Sequence, residues 1–195
     1  YLNMLPVTTI CMDNVEADDV IALLARSYFS GLGKKCTIMS TDKDFLQLVD
    51  GDVTVYSPTK RTVYTPEKVL HEYGIHPSNF LLYRTIDGDR GDNIEGIKGV
   101  GEKKLKTAFP EFANDKKLNI NDLLQISEKK QKDMPLYKNF LKEENQSLLK
   151  RNYDLMQLTD SILPASMQTK VFDHVDSPVT TLNKFEFSKK FAEDQ

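Results

Sequence analysis

A strand–helix–strand pattern in the first forty residues constrains the fold most. Residues 7 to 12 (VTTICM) are β-branched and apolar, the composition of a buried strand. Asp13, with Glu16 three residues on, marks a helix start. The helix is predicted from Glu16 to Ser30, with Val20, Ile21, Leu23, Leu24 and Tyr28 on its apolar side and Gly31 and Gly33 at its end. A second apolar run, CTIMS, spans Cys36 to Ser40. A βαβ unit of about 35 residues is the reading, its two strands parallel and its crossover right-handed.

The pattern then shortens. A short helix is expected at Phe45 to Leu48, a strand at Val53 to Tyr56, and a strand at Thr62 to Tyr64 beyond a Ser57-Pro58-Thr59-Lys60 turn. Thr65-Pro66 opens a helix that ends near Gly74, and Pro77 opens another that runs to about Ile86. Residues 87 to 101 are dense in Gly and Asp, a helix follows from Glu102 to Ala108, and the chain is helical and polar from Phe112 onward. Leu182, Phe185 and Phe191 have helical spacing. Three regions are expected: the C-terminal part of an α/β core (1–65), a helical region (66–110) and a helical C-terminal region packing on the core (111–195). Tyr1 in place of a methionine, so close to a strand, reads as a chain whose N-terminal part is missing.

Charge is uneven. The 195 residues sum to −3, which does not advertise a nucleic-acid partner. Yet residues 1–52 carry eight acidic and four basic side chains, whereas residues 98–107 carry Lys98, Lys103, Lys104 and Lys106 against Glu102 alone. Two sites with different partners are implied. Cys11 and Cys36 lie in apolar runs and read as buried free thiols; they form no disulfide framework and no zinc spacing. No signal peptide or membrane-length apolar run appears, so a soluble cytoplasmic chain is expected.

Seven acidic residues fall in three groups: Glu16, Asp18 and Asp19; Asp42 and Asp44; Asp89 and Asp92. The first two groups follow the ends of the two predicted parallel strands, the edge where such sheets place their sites. Like charges about 4 Å apart repel by roughly 1 kcal/mol in water and several times that near a protein surface. Such a cluster takes up protons or binds cations. Any one group alone could merely cap a helix; three together exceed what caps require. Oxygen donors without His or Cys select Mg²⁺ or Mn²⁺. The number of carboxylates suggests two ions, which about 4 Å apart can activate water and stabilise a leaving oxygen. Phosphodiester hydrolysis is the predicted chemistry, with Asp18, Asp42 and Asp44 as its catalytic carboxylates. An EF-hand register over 87–98 fails, because position twelve would be Lys98.

The segment Ile94 to Lys104 (IEGIKGVGEKK) carries the second chemistry. Gly99 and Gly101 allow tight backbone geometry, and a helix beginning near Glu102 turns free amides toward a phosphate. Lys103, Lys104 and Lys106 surround it; such contacts hold a backbone without reading bases. A dinucleotide-binding loop is disfavoured, because no strand directly precedes the glycines and Lys104 stands where a third would be.

EADD (16–19), STDKD (40–44), GDRGDN (88–93) and GIKGVGEKK (96–104), in this order and spacing, resemble the flap endonuclease superfamily. That group includes phage 5′–3′ exonucleases and ribonucleases H and the 5′ nuclease domain of bacterial DNA polymerase I. The resemblance is strong from Val7 to Ala108 and looser beyond. It implies an α/β, PIN-like, mainly parallel sheet flanked by helices, followed by a helix-hairpin-helix within a helix–three-turn–helix region. It further implies that Glu16, Asp18, Asp19, Asp42, Asp44, Asp89 and Asp92 are metal ligands. Gly96, Lys98, Gly99, Gly101, Lys103 and Lys104 would grip DNA, and the backbone at Ile97 and Val100 would hold K⁺. The implied activity is structure-specific 5′ nuclease action in replication or repair, with RNA-primer removal included. The implied partners are a duplex with a 5′ flap, nick or single-strand branch, or an RNA–DNA hybrid, together with replication proteins; a monomer from a phage or bacterium is expected. Two ligands and a helical arch that the family carries upstream would precede Tyr1, so this chain alone is expected to be weakly active or inactive. Two other readings are a non-catalytic DNA-binding fragment, disfavoured by the seven retained acids, and a PIN-type ribonuclease, disfavoured by the glycine segment.

Overall fold

The computed structural model describes residues 2–158, 163–179 and 181–193. It divides into two compact units, Tyr1–Leu24 with Ser161–Gln195, and Ala25–Asp160. Parts of the expected C-terminal region (159–162, 180, 194 and 195) lie outside the described residues.

In the first unit, helix α1 (Ala17–Leu23) begins just after Glu16; the π-helical turn that follows it, Leu24–Phe29, belongs from Ala25 onward to the second unit. A π turn is a local excess of one residue per turn, often found near functional sites. Helices α8 (Ala165–Asp176) and α9 (Lys184–Glu193) complete the first unit. Its core is Leu23, Leu163 and Val171, with Ile10, Met12, Val15, Val20, Met167 and Phe172 packed around them. The strand expected at 7–12 does not form: these residues are irregular, with Ile10 and Met12 half-buried and the others exposed. β-branched composition suits a strand but does not supply the ladder partner that makes one. Ile10 and Met12 serve the core as isolated apolar contacts instead. Cys11 is exposed rather than buried, because no strand forms here and only its neighbours Ile10 and Met12 reach the core.

In the second unit, β1 (Cys36–Met39) pairs parallel with β2 (Val53–Ser57), and β2 pairs antiparallel with β3 (Thr62–Tyr64). The sheet is small, in the order β1-β2-β3. The parallel relation predicted for strand 36–40 is real, but its partner is the later strand. The connection between them is a 3₁₀ turn, Asp44–Leu48, rather than the long helix. Cys36 lies in β1 and is half-buried, and that burial pushes its thiol pKa up.

Helix α2 (Pro66–Tyr73) has the ends its sequence prescribes. Pro66 opens it, the Thr65 hydroxyl accepts the Lys68 amide, and Gly74 closes it at φ 65°. A 3₁₀ turn (Pro77–Asn79) leads into α3 (Phe80–Asp87), which is buried along most of its length. Beyond it lie α4 (Glu102–Ala108), α5 (Ile120–Lys130), α6 (Pro135–Phe140) and α7 (Glu143–Met156). Phe109 is the hub of this helical part: the rings of Tyr137 and Phe140 each stand edge-on to it at 5.3 Å, and Phe112 at 6.1 Å. Such pairs add about 0.5–1.5 kcal/mol each beyond area burial.

Two buried polar side chains tie α3 to distant segments. The Asn79 amide donates to the carbonyls of Phe112, Asn114 and Lys116, and its oxygen accepts the Leu118 amide. Asn152, on α7, donates to the carbonyls of Thr85 and Glu95 at 3.1 and 2.8 Å. Both are fully buried. Replacing Asn79 with Ala strands several main-chain groups away from water, at about 1–3 kcal/mol for each group left unsatisfied. Asn79→Ala is expected to lower unfolding free energy by about 2–4 kcal/mol, read as a fall in the urea midpoint; an unchanged midpoint would show the clamp to be dispensable.

Candidate metal centre and glycine turn

Gly88 and Gly96 form the base of the site. Helix α3 ends at Gly88, which has φ 77°. A two-residue ladder follows, β4 (Gly88–Asp89) against β5 (Ile94–Glu95), pairing Gly88 with Glu95 and Asp89 with Ile94. The two glycines lie where main chains meet. A Cβ on Gly88 would stand 2.4 Å from the Gly96 nitrogen, and one on Gly96 would stand 2.1 Å from the Asp87 carbonyl oxygen. The Ile97 amide donates to the Ile86 carbonyl and continues the closure. The acidic loop and the glycine turn thus rise from one main-chain stem.

Within that stem the carboxylates assemble. One carboxylate oxygen from each of Asp44, Asp89 and Asp92 lies within 4.8 Å of the other two. Asp42 stands beside them, its Oδ1 accepting the Asp44 amide at 2.8 Å. Thr41, Asp42, Arg84, Asp89 and Gly91 help to line a cleft of about 540 Å³. A larger groove of about 1050 Å³ runs from Asp89 and Arg90 along the glycine turn to Lys104.

The residue that organises the cluster is Arg84, which sequence reasoning missed. Its side chain is 7% exposed. Nε donates to Asp44 Oδ1 at 2.6 Å, Nη1 to the Gly88 carbonyl at 3.1 Å, and Nη2 to Asp89 Oδ2. The signal was available: a lone Arg inside the apolar run FLLYRTID must find partners if its helix is buried. Burial drives the Asp44 carboxyl above its ordinary range, and Arg84 only partly offsets this. Burial also pushes Asp89 upward, but the Gly91 amide and Arg84 outweigh it and hold the group low. Arg84 loses stability as a cation through burial, and its bonds to Asp44 and Asp89 more than restore it.

The donors present are carboxylate oxygens, with no imidazole or thiolate among the described members of the cluster. That set suits a hard divalent cation. Glu16, Asp18 and Asp19 lie in the first unit: Glu16 is exposed at the N-cap of α1, and Asp18 and Asp19 are half-buried in its first turn. The parallel strand pair expected to carry them beside Asp42 does not form, because 7–12 is not a strand.

The glycine turn is shaped as its sequence suggests. Ile97 and Val100 are buried, and the Val100 amide donates to the Ile97 carbonyl at 3.2 Å. Gly99 has φ 79°, and Gly101 precedes α4. Lys98, Lys103 and Lys104 are exposed. Lys104 Nζ donates to the Gly99 carbonyl at 3.3 Å, and Asn139 donates to the Lys98 carbonyl at 2.9 Å.

Carboxylates on a buried arginine next to a glycine turn flanked by lysines suit metal-assisted chemistry on a phosphate backbone, and the proteins this chain resembles are nucleases. Residues 1–74 match the family model described as 5′-3′ exonuclease, N-terminal resolvase-like domain. Over 140 residues the chain is 38% identical to a 5′-3′ exonuclease of Aquifex aeolicus, covering 72% of this chain and 46% of that protein. It is 37% identical over 124 residues to DNA polymerase I of Mycobacterium tuberculosis, covering 62% of this chain and 14% of that one. Among solved structures, bacteriophage T5 5′-exonuclease with bound divalent metal ions (zinc) superposes with a TM-score of 0.68 at 25% identity, over 86% of this chain and 62% of its own. The T5 flap endonuclease in a pseudo-enzyme-product complex with DNA and metal ions gives 0.61 at 26% identity, over 96% and 63%. The chain is a homologue of the 5′-3′ exonucleases and of the 5′ nuclease part of DNA polymerase I, with the PIN-like fold of the T5 enzyme. It spans less than half the length of these two curated relatives.

Removing the Arg84 charge leaves a buried carboxylate uncompensated, which typically costs about 3–5 kcal/mol. Arg84→Met is expected to lower stability by about that amount, and Asp44→Asn added to it is expected to recover much of the loss. A double-mutant cycle in urea measures the coupling; purely additive effects would show that Arg84 does not hold Asp44.

Proposed function

We propose that the chain is the nuclease part of a structure-specific 5′ nuclease that hydrolyses phosphodiesters of DNA with divalent metal ions. The observation that carries this reading is the convergence of Asp44, Asp89 and Asp92 on the stem from which the glycine turn rises. Asp42, Asp44, Asp89 and Asp92 would hold Mg²⁺ or Mn²⁺; Glu16, Asp18 and Asp19, on the first unit, are proposed as further carboxylate ligands of the same chemistry. Bound there, the ions supply charge neutralisation at the scissile phosphate and acidify water. Arg84 keeps Asp44 and Asp89 oriented, and the Gly91 and Asp92 amides fix Asp89 Oδ1. Lys98, Lys103 and Lys104, with the backbone of Gly96, Gly99 and Gly101, would grip the duplex near its cleavage point. The carbonyls of Ile97 and Val100 would hold K⁺, a donor set of main-chain oxygens suited to a singly charged ion. The substrates proposed are duplexes bearing a 5′ flap or nick, and RNA–DNA hybrids. Ribonucleotide hydrolysis without duplex preference would mark the PIN-type alternative.

The test pairs metal binding with cleavage. Calorimetry with Mn²⁺ is expected to show binding that Asp92→Asn or Asp89→Asn weakens at least tenfold. Cleavage of a 5′-flap duplex is expected to require the metal and to fall about a hundredfold in the same variants while duplex binding persists, in line with loss of electrostatic stabilisation worth about 2.7–4 kcal/mol. Absence of Mn²⁺ binding, or binding that ignores both substitutions, would reject the metal assignment.

A further inference from the structure

The lysines of this chain divide into two kinds. Lys60 and Lys68 bond Glu72, Lys106 bonds Glu102, and Lys130 bonds Glu111. Lys98, Lys104 and Lys138, by contrast, have no carboxylate within 4.0 Å among the described residues, and Lys142 reaches Glu144 only at 4.0 Å. These four gather around one shallow cleft of about 370 Å³, floored by Gly99, Val100, Pro135 and Leu136. No acidic and no aromatic side chain lines it. In a chain whose net charge is −3, four exposed ammonium groups share one cleft and repel one another, with Glu144 at 4.0 Å from Lys142 as the one carboxylate near them among the described residues.

The cleft is built across elements far apart in sequence. Lys98 and Lys104 come from the glycine turn and α4, Lys138 from α6, and Lys142 from the residue that opens α7. Asn139 joins the two sides: its amide donates to the Lys98 carbonyl, while Asn145 donates to its carbonyl and side-chain oxygen at 2.7 and 3.1 Å. Helix α6, which carries Lys138, is thereby tied to the turn.

We infer that α6 and the start of α7 extend the nucleic-acid surface beyond the glycine turn, with Lys138 and Lys142 binding phosphates of duplex DNA. This rests on the nuclease reading above and adds to it a contact that lies outside the turn. Unneutralised lysines attract phosphate and release condensed counterions, so each contact steepens the salt dependence of binding. The absence of aromatic side chains removes the stacking platform that unpaired bases use, which selects duplex over single strand. Contacts of this kind position the backbone and read no sequence.

The experiment measures fluorescence anisotropy of a labelled blunt duplex and a labelled single strand, titrated with the 195-residue chain in Ca²⁺ over a range of salt. Lys138→Gln/Lys142→Gln is expected to weaken duplex binding about tenfold at moderate salt. It is also expected to flatten the slope of log affinity against log salt by about 1.8, from roughly 0.9 per lost phosphate contact. Lys138→Arg/Lys142→Arg is expected to retain wild-type affinity, and Lys129→Gln/Lys132→Gln, on the α5 side, to leave affinity and slope unchanged. Unfolding midpoints of all variants are compared to confirm that these exposed positions leave the fold intact. Wild-type affinity and slope in Lys138→Gln/Lys142→Gln would overturn the inference while leaving the nuclease reading in place. A loss confined to the single strand would also overturn it. Failure of the unsubstituted chain to bind any duplex would overturn both readings.

Discussion

A buried guanidinium makes the acidic cluster tolerable. Arg84 reaches three acceptors with one planar group, and two of them are carboxylates that would otherwise repel each other. Arginine suits this position better than lysine, because its fork engages separate oxygens in fixed directions and its charge persists when water is excluded. The arrangement still leaves the cluster rich in negative charge. One cation faces Asp44 and Asp89, while Asp42 and Asp92 stand on the exposed side. Arg84 thus offsets part of the charge, and under the function proposed above an ion from solvent would meet the remainder.

The stem beneath the cluster links two chemistries that a sequence reading treats separately. Asp89 and Asp92 lie inside the small hairpin, and the glycine turn begins at its exit. Asn152 closes the same stem from behind by bonding Thr85 on α3 and Glu95 on β5. A phosphate held at the turn and a cation held at the carboxylates would therefore share a single rigid reference frame. Catalysis benefits from such a frame, since a reacting group misplaced by about 1 Å can cost a hundredfold in rate.

Several of these features were legible in the residues. Thr65-Pro66 and Gly74 marked the ends of α2, because capping chemistry is local and needs no distant partner. Gly99 and Gly101 in GIKGVG marked a tight turn for the same reason. The strand at 7–12 was misread because strand formation depends on a neighbour, and VTTICM specifies only an apolar, β-branched surface. That Arg84 needs partners was legible in FLLYRTID, but their identity was not: they lie at Asp44, forty residues earlier, and at Gly88, four residues later. Asn79 and Asn152 escaped for the same reason: a buried amide bonding remote carbonyls leaves no periodic trace. Pairwise burial of polar groups is a tertiary property, and a one-dimensional pattern does not carry it.

The crossing of Gly88 and Gly96 limits how this part of the molecule can change. An added carbon at either position meets main-chain atoms, which every amino acid carries, rather than a neighbouring side chain that could be trimmed. Trimming a neighbour relieves a clash only when the neighbour's side chain causes it. A selection for second-site suppressors of Gly96→Ala would thus find no compensating side-chain exchange nearby. Recovery would require reversion to glycine or a rebuilt backbone path.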